Sequence, residues 1–182
     1  MDLELNDIQQ ELASTLHKYL RSEYDIAKRE EILRSEEGIS REKWQAFAEM
    51  GLLGLAIPES YGGGEADDYR FNAVAQEELA AVSMAFASSV GIDFDITTPY
   101  IVRLGTEEAK QQWLPAIAAG EAVAAIGMTE PSAGSDLAAI KSTAVRSGDD
   151  WILNGSKTFI TNGYTCDVAV IAAKTNPDAK AR

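Results

Sequence analysis

One cysteine, Cys166, and one histidine, His17, are all that this 182-residue chain carries of two residue types much used in nucleophilic and metal chemistry. A single cysteine excludes an intrachain disulfide, and with a single histidine a Cys/His zinc site is excluded as well. Ser-His-Asp or Cys-His catalysis would have to run through His17, which lies between Leu16 and Lys18 on an amphipathic stripe and reads as a surface histidine. Cys166 reads as a small packing residue. Basic residues are scarce too: 16 Lys and Arg stand against 29 Asp and Glu, a net charge of −13. That argues against a nucleic-acid binder, because phosphate contacts need clustered cations. Long apolar runs are missing. The richest, residues 80–92, is shorter than the roughly 18 apolar residues of a membrane span and carries Ser83, Ser88 and Ser89. The first residues, Met1-Asp2-Leu3-Glu4, are acidic where a targeting peptide would be basic, so the expected setting is a soluble, reducing compartment such as the cytoplasm.

What is present is ordinary globular material, 46% apolar and 25% charged, enough for one domain or two small ones. The first part reads as helices. Ile8, Leu12, Leu16 and Leu20 recur every fourth residue, and Asn6 with Gln9 forms a capping-box signature. Ser40 is placed to cap a second helix whose Trp44, Phe47 and Ala48 share a face and which ends at Gly51. After Pro58 and Gly62-Gly63-Gly64, a third helix starts near Asp67-Asp68, with Phe71, Ala75, Leu79, Val82 and Phe86 turned inward. Pro99 either opens a short helix or kinks a longer one. Thr106, followed by Glu107 and Glu108, starts the next helix, which carries Trp113 and Leu114 before Pro115.

The pattern changes near Gly120. Residues 122–128 and 142–146 read as strands, and residues 167–173 as another. Trp151-Ile152-Leu153, the turn pair Asn154-Gly155 and residues 157–161 read as a hairpin. The expected fold class is therefore α+β: an all-α helical domain over residues 1–120 followed by an antiparallel β domain over residues 121–182. Charge follows that division loosely. Residues 1–68 hold 16 acidic and 7 basic side chains, residues 69–182 hold 13 and 9, so an anionic ligand suits the second part better. The polar stretch from Lys174 to Arg182 stands where a further strand is expected; the chain reads as truncated, or as ending in a flexible tail.

Two familiar phosphate motifs fail. Gly62-Gly63-Gly64 lacks a third fingerprint glycine, since Asp67 stands there, and no Walker loop occurs. The segment that carries chemistry is Thr129-Glu130-Pro131-Ser132-Ala133-Gly134-Ser135-Asp136 at a strand end. Pro131 stops the strand, Ala133 and Gly134 keep side chains out of a ligand's way, and free amides with the hydroxyls of Thr129 and Ser135 suit an anionic or carbonyl-rich ligand. Some 24 residues on, Phe159-Ile160-Thr161 puts an aromatic and a hydroxyl two residues apart, on one face of the expected strand, which suits a flat heteroaromatic ring.

Together the run from Ile126-Gly127-Met128-Thr129-Glu130-Pro131 to Gly134-Ser135-Asp136, and the run from Trp151-Ile152-Leu153-Asn154-Gly155 to Phe159-Ile160-Thr161-Asn162-Gly163, resemble the flavin-binding signature of the acyl-CoA dehydrogenases. Gly51-Leu52-Leu53-Gly54 and Leu104-Gly105-Thr106-Glu107-Glu108 are similar to that family too, and the wording is most like its long-chain branch. The resemblance implies FAD-dependent α,β-dehydrogenation of acyl-CoA thioesters, in fatty-acid or related acyl-CoA oxidation. It implies that Ile126, Gly127, Met128 and Thr129 line the flavin, that Gly134 and Ser135 approach its phosphates, that Phe159 stacks on the isoalloxazine beside Ile160, and that Thr161 reaches its reactive nitrogen. Many family members have Trp at the Phe159 position. The resemblance places Ser135, Thr97 and Thr98 near the acyl-CoA. It also implies a C-terminal helical bundle that is missing here, a catalytic carboxylate beyond Arg182, an isolated chain that is inactive, a homotetramer, and electron-transfer flavoprotein as acceptor. An acyl-CoA oxidase or flavin monooxygenase on the same scaffold, and a short non-catalytic assembly module, are the competing expectations.

Overall fold

The computed structural model describes residues 4–24, 28, 30 and 38–176; the end of the polar stretch, residues 177–182, lies outside the described residues. Six α-helices come first among those residues: α1 (Asp7–Glu23), α2 (Arg41–Glu49), α3 (Arg70–Val82), α4 (Met84–Gly91), α5 (Thr98–Leu104) and α6 (Glu107–Ala118). Four short strands follow: β1 (Ala124–Gly127), β2 (Thr143–Ser147), β3 (Asp150–Asn154) and β4 (Val168–Ile171). The helices-then-strands order matches the expectation.

Local chemistry explains most helix ends. The Asn6 side chain accepts from the Gln9 amide at 2.9 Å while the Gln9 side chain accepts from the Asn6 amide at 3.0 Å, a complete capping box on α1. The stripe behind it holds in part. Leu16 and Leu20 are buried, but Ile8 is 67% exposed, because a spacing of four advances about 40° per step and carries the stripe round the helix. Ser40 stands at the cap position of α2 but makes no side-chain capping bond. Beyond α2, Gly51 takes φ +77°, and Leu52 N–H returns to Phe47 O at 3.0 Å. The long third helix expected to reach Phe86 is two helices: Ser83 is extended, closing α3 and opening α4. A π-helical turn over Ile92–Thr97 joins α4 to α5. Pro99 has no amide and crowds the carbonyl one turn back, and the chain widens there, Thr98 N–H reaching Asp93 O. Helix α6 runs on through Pro115 to Ala118.

The main core gathers Leu16, Leu20, Trp44, Phe47, Leu79 and Phe94. Phe86 stands in its middle, its ring centroid 4.9 Å from Tyr24 and 5.6 Å from Phe47, distances at which tilted and edge-on rings attract. A second cluster of Ile57, Ile101, Leu114, Ile117, Ala122 and Ala124, with Val168 and Val170 against it, seats the strands on α5 and α6.

The strands depart from the expectation in two ways. Only β2 and β3 are antiparallel, with Thr143 opposite Asn154 and Ser147 opposite Asp150. β1 and β4 pair in parallel, Ala124 opposite Val168 and Gly127 opposite Ile171, because the whole hairpin lies in the crossover between them. The hairpin also sits one strand earlier than Asn154-Gly155 signals. Its two-residue turn is Gly148-Asp149, with φ +65° at Gly148. Gly155 serves close approach instead: a Cβ there would meet Ser142 Cα at 2.8 Å, so the chain leaves the ladder and residues 157–161 form no strand. Past β4, Lys174 bonds alongside Thr143, its N–H to Ser142 O at 2.8 Å.

Candidate functional site

Beyond Gly127 the chain leaves β1 and folds back at once. Glu130 N–H donates to Ala133 O at 2.8 Å and Ala133 N–H to Glu130 O at 3.1 Å, closing Glu130-Pro131-Ser132-Ala133 into a tight turn. Ala133 is buried beneath it, while Gly134 and Ser135 are exposed. A Cβ on Gly134 would meet nothing within 4 Å, so the backbone there is open to a ligand.

The Glu130 side chain, 3% exposed, fastens this turn to two other segments. Its Oε2 accepts the Lys141 amide at 2.6 Å; its Oε1 accepts the Ser142 amide and the Lys157 ammonium, each at 2.9 Å. The Ser142 hydroxyl lies beside the carboxylate, short of hydrogen-bonding geometry. That hydroxyl, the Lys141 amide and the Lys157 ammonium hold the Glu130 carboxyl well below the usual carboxylate range. Lys157 Nζ also donates to Met128 O at 2.9 Å, and Thr158 N–H donates to Thr129 O at 3.0 Å. Residues 128–135 and 157–161 are thus one unit, as the pairing of the two motifs in the sequence anticipates.

Phe159 is 93% exposed, with φ +56°. A left-handed backbone at a bulky residue is strained, and an aromatic held in that conformation and wholly in solvent invites a partner ring. Since this segment is not a strand, alternation along a strand does not relate Phe159 to Thr161; the left-handed turn aims the ring. Ile126, Met128, Thr129, Ile160 and Thr161 are half-buried and Gly127 is buried. Thr97 and Thr98 sit elsewhere: both are 0% exposed, at the junction of the π-helical turn with α5, and their hydroxyls have no hydrogen-bond partner.

Several residues that the sequence reading left aside hold the site to the helices. Asn162, also left-handed at φ +61°, donates to Ser89 O at 2.8 Å and Ala124 O at 3.3 Å. Asp167 accepts the Val123 amide at 2.8 Å and is paired with Arg41, whose guanidinium also reaches Thr165 O at 2.9 Å. Asp93, 0% exposed, accepts the Ala124 amide at 2.5 Å, and burial pushes its carboxyl up to about 7. Asn162 closes the second motif without a role being assigned to it, and no motif marks Asp93, Asp167 or Arg41; for Asp93 the only sequence signal is a charged side chain inside an otherwise apolar stretch.

A groove of about 830 Å³ opens among Ala66, Asp67, Tyr69, Asn72, Asp95 and Tyr100. Asp95 accepts from Tyr69 at 2.9 Å and Asn72 at 2.7 Å there. None of the sequence-predicted site residues lines it, although Ile96 and Pro99, the chain neighbours of Thr97 and Thr98, do. His17 is half-exposed and meets Glu78 at 2.9 Å, as a surface histidine does. Among the described residues no cluster of His, Cys, Asp or Glu could hold a metal ion, and no helix is long and apolar enough to cross a membrane. The chemistry left to the joined loops is recognition of a flat, carbonyl-rich or anionic molecule by amides, hydroxyls and one aromatic face.

The family models described as "Acyl-CoA dehydrogenase, N-terminal domain" and "Acyl-CoA dehydrogenase, middle domain" match residues 6–121 and 125–182. The chain is similar to the mitochondrial long-chain specific acyl-CoA dehydrogenase of Rattus norvegicus, 45% identical over 142 residues, which are 78% of this chain and 33% of that protein. Its fold is similar to the crystal structure of an acyl-CoA dehydrogenase from Geobacillus kaustophilus, with TM-score 0.87, 43% identity and coverage of 97% of this chain and 45% of that one. It is also similar to an acyl-CoA dehydrogenase from Bacillus anthracis complexed with FAD, with TM-score 0.85, 32% identity, and coverage of 94% and 29%. The chain spans about a third of the length of the curated relatives it matches.

Proposed function

The chain belongs to the acyl-CoA dehydrogenase family, and from that premise we propose that it is the N-terminal and middle portion of an FAD-dependent enzyme that introduces an α,β double bond into acyl-CoA thioesters. The observation that carries this reading is the union of residues 128–135 with the exposed, left-handed Phe159, made through Lys157 and the Thr158–Thr129 hydrogen bond. Open backbone at Gly134 and a solvent-facing ring fit a flavin dinucleotide, and a relative of similar fold is complexed with FAD.

Bound FAD would supply the acceptor for the hydride that leaves the β carbon. The chain's own part is to hold it. Met128 and Thr129 would bind the pyrimidine edge, Gly134 and Ser135 would meet the phosphates, Phe159 would cover one ring face, and Thr161 would lie toward the reactive nitrogen. Ser135 borders the acyl-CoA, and the Thr97-Thr98 turn supports the acyl cavity from within the helical part. Glu130 takes no part in proton abstraction: its carboxylate is buried and engaged by two amides and an ammonium. We assign the α-proton base to a region outside these 182 residues, so that the isolated chain does not turn over. The whole enzyme works as a homotetramer and passes electrons to electron-transfer flavoprotein.

The test is an anaerobic titration of the whole FAD-loaded protein with saturated acyl-CoAs of graded chain length. Bleaching of the oxidised flavin band by at least one of them is the expected result. A flavin that stays oxidised with all of them would overturn the reading, and rapid oxygen uptake after bleaching would reassign the protein as an oxidase.

A further inference from the structure

The Glu130–Lys157 pair is hard to explain as a source of stability. Both side chains are nearly out of water, at 3% and 11% exposed, and a buried ion pair often stabilises a fold no better than apolar residues filling the same space. What an apolar pair lacks is direction. The ammonium has three donors in a fixed fan, and two are spent here, on Met128 O and on Glu130 Oε1. The carboxylate spends its other contacts on the Lys141 and Ser142 amides. The lysine stem runs past Gly127, where an added Cβ would meet Lys157 Cγ at 3.4 Å and Ile171 Cδ1 at 2.7 Å, so the end of β1 is shaped to let the stem through. Lys157 is therefore aimed inward, at Met128 and Glu130, although it stands next to the segment that carries Phe159.

We propose that Lys157 is a positioning residue for flavin binding, whose ammonium locks residues 128–135 against residues 157–161 so that the loop amides and the Phe159 ring face one ligand together. The inference rests on the reading of these two segments as the flavin site. It assigns the one buried cation of the region to loop geometry and leaves recognition of the dinucleotide's phosphates to backbone amides and hydroxyls.

The experiment compares the whole protein with its Lys157→Met and Lys157→Arg variants by hydrogen exchange of residues 128–135 and 157–161, and by FAD titration followed through flavin fluorescence. Lys157→Met is expected to speed exchange in both segments at least about tenfold, leave α1 and α3 protected, and weaken FAD binding at least about tenfold. Lys157→Arg, which keeps the charge and the donors, is expected to restore both. A folded Lys157→Met with wild-type exchange in these segments overturns the proposal, as does an arginine variant that behaves like methionine. Should Lys157→Met not fold, the double variant Glu130→Gln, Lys157→Met removes the stranded charge: folded with fast-exchanging loops it supports positioning, whereas protected loops, or failure to fold, make the pair structural and overturn it. If the whole wild-type protein takes up no FAD, the flavin reading fails by itself, and exchange still decides the clamp.

Discussion

The helical part and the β2–β3 hairpin treat apolar side chains in opposite ways. In the helices Leu16, Phe47, Leu79 and Phe94 are fully out of solvent. On β3 every residue is exposed, and Trp151, Ile152 and Leu153 each leave half their surface to solvent, at 54%, 52% and 52%. The first region exposes single apolar side chains such as Ile8, Met84 and Leu104 around a buried core; the second presents three consecutive ones on a strand with no buried residue, and five residues past that strand the chain carries the exposed Phe159. Buried apolar packing and consecutive exposed apolar surface are thus placed in different halves. The comparison breaks if the two halves respond alike to loss of a leucine. Leu79→Ala is expected to cost about 2–5 kcal/mol, since it leaves a cavity in the main core. Leu153→Ala is expected to cost about 1 kcal/mol or less, since half of that side chain is in water already. Urea denaturation of the two variants gives the difference, and equal losses would refute the division.

The junction between the halves carries the next effect, and it depends on pH. Asp93 holds the first amide of β1 from inside the helical part, with Asp167, just before β4, and its partner Arg41 of α2 as the charged groups on the other side. Burial moves the Asp93 carboxyl from 3.8 to about 7 on folding. Between those values the folded chain keeps a proton that the unfolded chain has lost. Stability from this group therefore falls as pH rises, by up to about 1.4 kcal/mol per pH unit, and levels off above 7. Asp68 and Glu130 have the opposite sign. Arg70 holds Asp68 low, and the neighbours of Glu130 hold it low, so their contributions are present above the ordinary carboxylate range and lost in acid. Maximum stability is expected near pH 4–5 on these counts, where the two windows meet. Asp93→Asn keeps an oxygen for the Ala124 amide and removes the proton. It should flatten the decline between pH 4 and 7 in urea midpoints, and identical slopes in variant and wild type would refute the assignment.

How much of this the sequence showed follows the same division. Capping chemistry and four-residue apolar spacing are local, so α1, α2 and α6 are visible in place, and the errors are those of local rules: Ser83 divides one expected helix, Ile8 rotates out of the core, Ser40 makes no capping bond, and α6 runs on through Pro115. Strand pairing is not local. The pair Gly148-Asp149, six residues before the signalled Asn154-Gly155, takes the hairpin turn, and Gly155 instead lies against Ser142, a contact between distant residues that no pattern announces. The loop motifs are visible as a constellation of small, polar and aromatic residues, and the structure brings them together. The mechanism of their joining is different from the expected one: a strand was to align Phe159 with Thr161, whereas a buried ion pair and a left-handed turn set the loop. Charge inside a motif is the sign that sequence reading can learn to weigh, since Glu130 and Lys157 stand amid small or apolar neighbours with no surface to justify them.

The smallest expected change in stability sharpens the comparison most. Phe159 packs against almost nothing, and its left-handed backbone costs about 1–2 kcal/mol for an L-residue, while glycine would remove that strain and lose about 0.5–1 kcal/mol through added freedom in the unfolded chain. The opposing terms leave Phe159→Gly within about 1 kcal/mol of the wild type. If the joined loops are a recognition surface, the same substitution in the whole protein should abolish the quenching of flavin fluorescence that a stacked ring produces. A variant that melts with the wild type and no longer quenches FAD separates what holds this protein together from what it is built to hold. A large loss of stability would show instead that Phe159 supports the fold, and the contrast between the two halves would fail at its most exposed residue.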